Sequence, residues 1–92
     1  MPEIEYSDYF RKATHLLPKE IQKKLAKALR LLAQDPRHPG LRTKPIRGLS
    51  SGSPKIYEAR IDQSYRFTYE RKEGDVLLLR NVGEHDITSK NP

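Results

Sequence analysis

Cysteine is absent from the 92 residues, which excludes disulfides, thiolate metal sites and thiol nucleophiles and accords with a cytosolic location. Long apolar runs are also missing. The longest uninterrupted aliphatic stretch, Val76 to Leu79, is far too short to cross a bilayer. The N-terminal Met-Pro-Glu-Ile-Glu-Tyr has no basic segment followed by an apolar one, so no secretory leader is expected. There is no phosphate-binding glycine loop, no nucleophile elbow and no zinc-ligand spacing. His15 falls at a helix end and His38 in a Pro-rich loop, away from His85, so no metal or other cofactor is expected.

The chain does carry charge. Its net +6 arises from 18 Lys and Arg against 12 Asp and Glu, and the excess is unevenly spread. Residues 1–10 are acidic, the segment from Arg11 to Lys55 is strongly basic, and the remainder is close to neutral. Clustered basic residues suit a polyanion, whose counterions they release, or an acidic protein surface; they also suit a solvated helix face. With 35% hydrophobic and 33% charged residues, the composition fits one polar globular domain spanning residues 1–92.

Ile4 and Tyr6 alternate with acids, a short-strand pattern, and Ser7-Asp8 suits a helix N-cap. Phe10, Ala13 and Leu17 share one helical face. Pro18 fits the first turn of a second helix, ending near Gln34 before Asp35-Pro36, in which Ile21, Leu25, Ala28, Leu29 and Leu32 form an apolar stripe. Residues 35–55 are rich in Pro, Gly and Ser and read as loop, with Leu41 to Ile46 a candidate edge strand. After Lys55 the period becomes two. Tyr57, Ala59 and Ile61, then Tyr65, Phe67 and Tyr69 beyond an Asp62-Gln63-Ser64 turn, predict a hairpin with one apolar face. Val76 to Val82, apolar on both sides, predicts an interior third strand. The fold class is α+β: an N-terminal helical hairpin packed on a small, mainly antiparallel sheet of 3–5 strands.

That arrangement leaves Glu58, Arg60, Arg66 and Thr68 on an outward face with Arg66 near its centre, where charged residues meet water or a ligand. Cross-strand pairing of Arg60 and Glu58 with Arg66 and Glu70 explains the same pattern. Val82-Gly83-Glu84-His85-Asp86 ends the last strand and sets a histidine between two acids, a group able to exchange protons near neutrality or simply to sit on the surface.

Several segments together, Asp35-Pro36-Arg37, Leu41 through Gly48, Ile56-Tyr57-Glu58-Ala59-Arg60-Ile61, Ser64-Tyr65-Arg66-Phe67 and Leu79 through Asp86, give a chain that resembles the RelE/ParE superfamily of bacterial type II toxins. RelE-like members are ribosome-dependent, metal-independent endoribonucleases in which a ribose 2′-hydroxyl attacks the neighbouring phosphate of messenger RNA. The resemblance implies that Arg66 clamps the transition-state phosphate and that His85 serves as general acid or phosphate contact. Glu58 falls where some relatives place a lysine, and its role as base is inferred from its position on the hairpin. Lys55, Arg60, Arg47, Lys44 and Arg80 would hold the RNA backbone. The implied partners are a cognate antitoxin, bound as a hetero-oligomer, and the ribosome with its messenger RNA; no membrane is involved and the location is cytoplasmic. A ParE-like inhibitor of DNA gyrase and a catalytically inert antitoxin-binding relative are the alternatives on the same fold.

Overall fold

A computed structural model describes residues 2–46, 55–90 and 92. The chain begins with strand β1 (Glu3–Tyr6), then helices α1 (Asp8–His15) and α2 (Lys19–Gln34). A short 3₁₀ turn (Pro39–Leu41) leads to strand β2 (Lys44–Pro45), and strands β3 (Ile56–Arg60), β4 (Tyr65–Lys72) and β5 (Val76–Glu84) precede the single-turn helix α3 (Ile87–Lys90). The strands form one sheet in the order β1-β5-β4-β3-β2. Only β1 runs parallel to its neighbour, β5; the other pairings are antiparallel. The architecture is therefore α+β, two helices on a five-stranded mixed sheet, and β5 is interior as its apolar pattern predicts. Among the described residues no helix is long and apolar enough to cross a membrane.

Local chemistry sets the element ends. Ser7 caps α1 by accepting a hydrogen bond from the Phe10 N–H at 3.0 Å, satisfying a donor that the first helical turn leaves orphaned. Pro18 starts α2 without a side-chain cap, and the apolar stripe of α2 is buried at Ile21, Leu25, Ala28 and Leu32. Leu25, Ala28 and Leu32 meet the helix-facing row of the sheet. Phe10, Leu25, Ala28, Leu32, Leu41, Ala59, Phe67, Tyr69, Leu77, Leu79 and Val82 make one core cluster. The β4–β5 turn needs left-handed backbone at two successive residues, Gly74 (φ 77°) and Asp75 (φ 59°), types that tolerate it.

Two features depart from the sequence reading. The candidate edge strand over Leu41 to Ile46 shrinks to Lys44–Pro45. Leu41 plugs the core from the 3₁₀ turn, and Arg42 then takes a left-handed conformation (φ 47°), which no extended strand admits. The outward face of the sheet is also not solvated at its centre: Thr68 is fully buried, and Glu58 and Asn81 are nearly so. Their polar atoms are satisfied internally, as the thermodynamics of burial requires. The Thr68 hydroxyl donates to the Asn81 carbonyl at 3.5 Å, and Asn81 Oδ1 accepts from the Val82 N–H at 2.8 Å.

Strand β5 contains a β-bulge. Tyr69 pairs with Leu79 and Thr68 with Asn81, so Arg80 is the extra residue. Its carbonyl, left out of the ladder, accepts from the Ser7 hydroxyl at 3.2 Å. The bulge explains why core residues in β5 step by two from Leu77 to Leu79 and then by three to Val82.

Candidate functional site

The β3–β4 hairpin sets Arg60 directly opposite Arg66. Like charges facing each other across a strand pair repel, an arrangement that costs stability. Glu58 lies opposite Thr68 rather than an arginine, because the turn joining the strands fixes the register one pair away from the arginine–carboxylate matches expected from composition. Arg66 is correspondingly not at the centre of the face but near the turn, with Thr68 taking the central position.

Both guanidinium groups lean on the turn. Arg66 Nη1 donates to the Asp62 carbonyl through a very short hydrogen bond and to the Tyr65 carbonyl at 2.9 Å, while Arg60 Nε donates to the same Asp62 carbonyl at 3.2 Å. Their remaining donors meet no acceptor among the described residues, and no carboxylate there neutralises either side chain. Two oriented guanidinium forks with free donors, side by side, match the oxygens of a phosphate.

Asp62 holds this turn, a role that its reading as a plain turn residue missed. Its Oδ1 accepts from the N–H groups of Ser64 and Tyr65, both at 2.9 Å, an Asx-turn geometry. Its Oδ2 meets Lys24 Nζ of α2 at 3.4 Å. Partial burial pushes the Asp62 carboxyl pKa upward, but the Ser64 and Tyr65 N–H groups and Lys24 outweigh it and leave the pKa below the ordinary aspartate value. The signal was present in the spacing Asp62-Gln63-Ser64-Tyr65, but Lys24 reads as one more solvated helix lysine. A folded-state pKa below the unfolded value of about 3.9 stabilises the protein above that pH, and the benefit disappears as pH falls through the folded value. Asp62→Asn keeps the acceptor of the turn but loses the charge that faces Lys24, so it is expected to lower stability at pH 7 by up to about 1 kcal/mol, the scale of an exposed ion pair, with the gap closing as pH falls through the lowered carboxyl pKa. Urea denaturation of both proteins at several pH values checks this, and a gap independent of pH would contradict it.

The end of β5 lies beside the pair. Gly83 is opposite Arg66 and Glu84 opposite Tyr65, and the His85 N–H continues the ladder to the Ser64 carbonyl at 2.8 Å. Alternation from Gly83 carries His85, which is exposed, to Arg66's side of the sheet. An added Cβ at Gly83 would sit 2.9 Å from the Ile87 side chain, so the glycine admits α3 against the strand. Asp86 next to His85 has its pKa lowered chiefly by its hydrogen bond with Lys90, an i,i+4 ion pair at 3.0 Å.

The other sequence-nominated residues separate. Glu58 shares the face of Arg60 and Arg66 and is nearly buried, bonded to Lys44 Nζ at 3.1 Å. That pairing occupies Lys44. Arg80, the bulge residue, is occupied by Glu70 through Nη1 at 2.9 Å. Lys55 is exposed at the far end of β3, away from the turn, and Arg47 lies outside the described residues. Among the described residues no group of three or more His, Asp or Glu is placed to hold a metal ion.

Two helices packed on one side of a five-stranded mixed sheet are the fold of RelE-like toxins, as comparison with solved structures shows. The archaeal RelE–RelB complex from Pyrococcus horikoshii OT3 contains a chain that superposes with a TM-score of 0.71 at 20% identity, over 90% of this chain and 93% of that one. The RelBE2 toxin–antitoxin complex from Mycobacterium tuberculosis gives 0.72 at 20% identity, over 92% and 100%. YafQ from E. coli strain BL21(DE3) gives 0.69 at 22% identity, over 92% and 94%. No protein-family model and no curated protein sequence matches the chain.

Proposed function

We propose that this chain is the toxin of a type II toxin–antitoxin pair and that it cleaves messenger RNA on the ribosome in the cytoplasm. The single observation that carries the reading is the apposition of Arg60 and Arg66, with donors that meet no acceptor among the described residues. Nature tolerates a repulsive pair where a ligand compensates for it, and a phosphate does so. Support for an antitoxin partner comes from the likeness to chains solved as RelE–RelB and DinJ–YafQ complexes.

In the proposed reaction the ribose 2′-oxygen attacks the adjacent phosphorus, the bond to the 5′-oxygen breaks, and a cyclic phosphate and a 5′-hydroxyl result. One proton leaves the 2′-hydroxyl and one reaches the departing oxygen. Arg66 and Arg60 stabilise the charge that builds on the equatorial oxygens, in geometry set beforehand by the Asp62 carbonyl. His85, exposed at the strand end, delivers the proton to the 5′-oxygen. Glu58 is the carboxylate on that face nearest the arginines in sequence register, and its role is to accept the 2′-hydroxyl proton, with Lys44 orienting it.

The test is addition of the purified protein to a translating extract, with RNA ends mapped at nucleotide resolution. Cleavage at ribosomal A sites is expected, reduced about 10²–10⁴-fold by His85→Ala, the range for loss of a general acid or base. Intact messenger RNA accompanied by gyrase-linked DNA breaks in cells would replace this reading with gyrase inhibition.

A further inference from the structure

On the helix side of the sheet, at the end of the hairpin remote from Arg60 and Arg66, a cleft of about 500 Å³ opens between the 3₁₀ turn and β3–β4. That volume lies within the roughly 300–1,000 Å³ of small-ligand sites. Its floor is aromatic. Tyr57 and Tyr69, opposite each other in the register, stack with centroids 5.6 Å apart and rings inclined by 20°. Burial raises the Tyr69 pKa, opposed by a side-chain hydrogen bond with Thr43 and by Arg71, so Tyr69 is uncharged at neutral pH. Above it the Arg71 guanidinium lies 5.8 Å from the Tyr57 centroid, held there by cation–π attraction.

The walls add Arg37 and Arg42, both exposed. None of these three arginines is paired with a carboxylate among the described residues. Of the two acids on the rim, Asp35 is engaged by the Arg37 N–H at 2.9 Å, and Asp75 sits in the β4–β5 turn. His38 is likewise turned inward, its Nδ1 accepting from the Gly40 N–H at 3.0 Å. Arg42 stands out because it holds a left-handed backbone, at which a glycine is at ease and an arginine is not.

We propose that this cleft is a second nucleic-acid site, holding one nucleotide of single-stranded RNA with its phosphate among Arg37, Arg42 and Arg71 and its base on the Arg71 plane. Guanidinium planes and aromatic rings are the surfaces on which unpaired RNA bases stack, and arginine forks recognise phosphate in two directions at once. The site lies on the other side of the sheet from the arginine pair, so it grips RNA without taking part in cleavage. It rests on the proposed function only in the choice of RNA as the polyanion.

The probe is a 2′-O-methyl RNA tetranucleotide, which lacks the attacking hydroxyl, titrated into the ¹⁵N-labelled full chain. Amide shifts are expected at Arg42, Thr43 and Arg71, and they should persist in the Arg60→Ala/Arg66→Ala protein. Arg42→Gly combined with Arg71→Gln should weaken this binding roughly tenfold and reduce the salt slope by about 0.7 for each phosphate no longer neutralised. Glycine suits the backbone at residue 42, so misfolding does not account for the weaker binding. The proposal is overturned if the cleft amides do not move, if their shifts vanish with the Arg60/Arg66 variant, or if a glutamate-rich peptide of equal charge displaces the RNA from them. Failure to cut messenger RNA while the cleft shifts remain would sink the proposed function alone.

Discussion

Arg66→Ala is expected to reduce ribosome-dependent cleavage of messenger RNA by about 10²–10³-fold, the loss found when one preorganised donor to transition-state charge is removed. Arg60→Ala should fall in the same range or slightly below it, since Arg60 makes one hydrogen bond to the Asp62 carbonyl and Arg66 makes two to the turn. The informative comparison is with stability. Removing either arginine also removes a repulsion between directly opposed like charges, which offsets the missing hydrogen bond to the turn. Arg60→Ala should therefore unfold within about 0.5 kcal/mol of the wild type, the ordinary range for a surface substitution. Rates from single-turnover assays and midpoints from urea denaturation separate the two effects. Equal losses in rate and stability would mean that the arginines serve the hairpin and not a ligand.

A second large effect is expected in the core. Phe67 is fully buried on β4, opposite Ala59 and in ring contact with Tyr69 at 6.2 Å. Phe67→Ala removes most of that side chain and leaves a cavity that a close-packed interior only partly refills, at a cost of about 3–5 kcal/mol. For a domain of this size, whose whole stability is of the order of 5–14 kcal/mol, that is about a fifth of the total or more. A fall in melting temperature of about 12–40 °C follows from the entropy of unfolding of small domains. A thermal melt followed by circular dichroism checks it, and a shift of only a few degrees would be incompatible with a ring at the centre of the core.

The α2 stripe was legible because its four buried residues repeat at helical spacing without interruption, and Ser7 because a cap residue stood beside an acid at a helix start. The hairpin was legible for the same kind of reason, through alternation on both sides of a polar turn. What alternation alone does not supply is register. A shift of one pair exchanges an arginine–carboxylate match for the opposed Arg60 and Arg66, and the length of a short polar turn does not decide between them. The docking of β1 parallel to β5 joins residues more than seventy positions apart, and a four-residue strand carries too little pattern to announce its partner. Thr68 was read as facing outward to water or a ligand, whereas its hydroxyl finds a partner inside the sheet, the Asn81 carbonyl. At the site, Arg66 and His85 stand out by residue type and setting. Asp62 and Lys24 do not, because their importance lies in what they hold still.

The bulge at Arg80 has a bearing on which changes this protein tolerates. Leu77 and Leu79 face the helices, and unbroken alternation would carry residues 81, 83 and 85 to that same side. The extra residue inverts the parity of everything after it, so His85 emerges beside Arg66 and Val82 turns inward. One inserted residue thus works as a reading-frame shift for the faces of a strand. Drawing Arg80 into regular pairing would preserve composition and chain length while moving the histidine to the wrong side of the sheet. Along this stretch the face that each side chain takes is set by whether Arg80 stays outside the ladder, not by its distance in sequence from the core leucines.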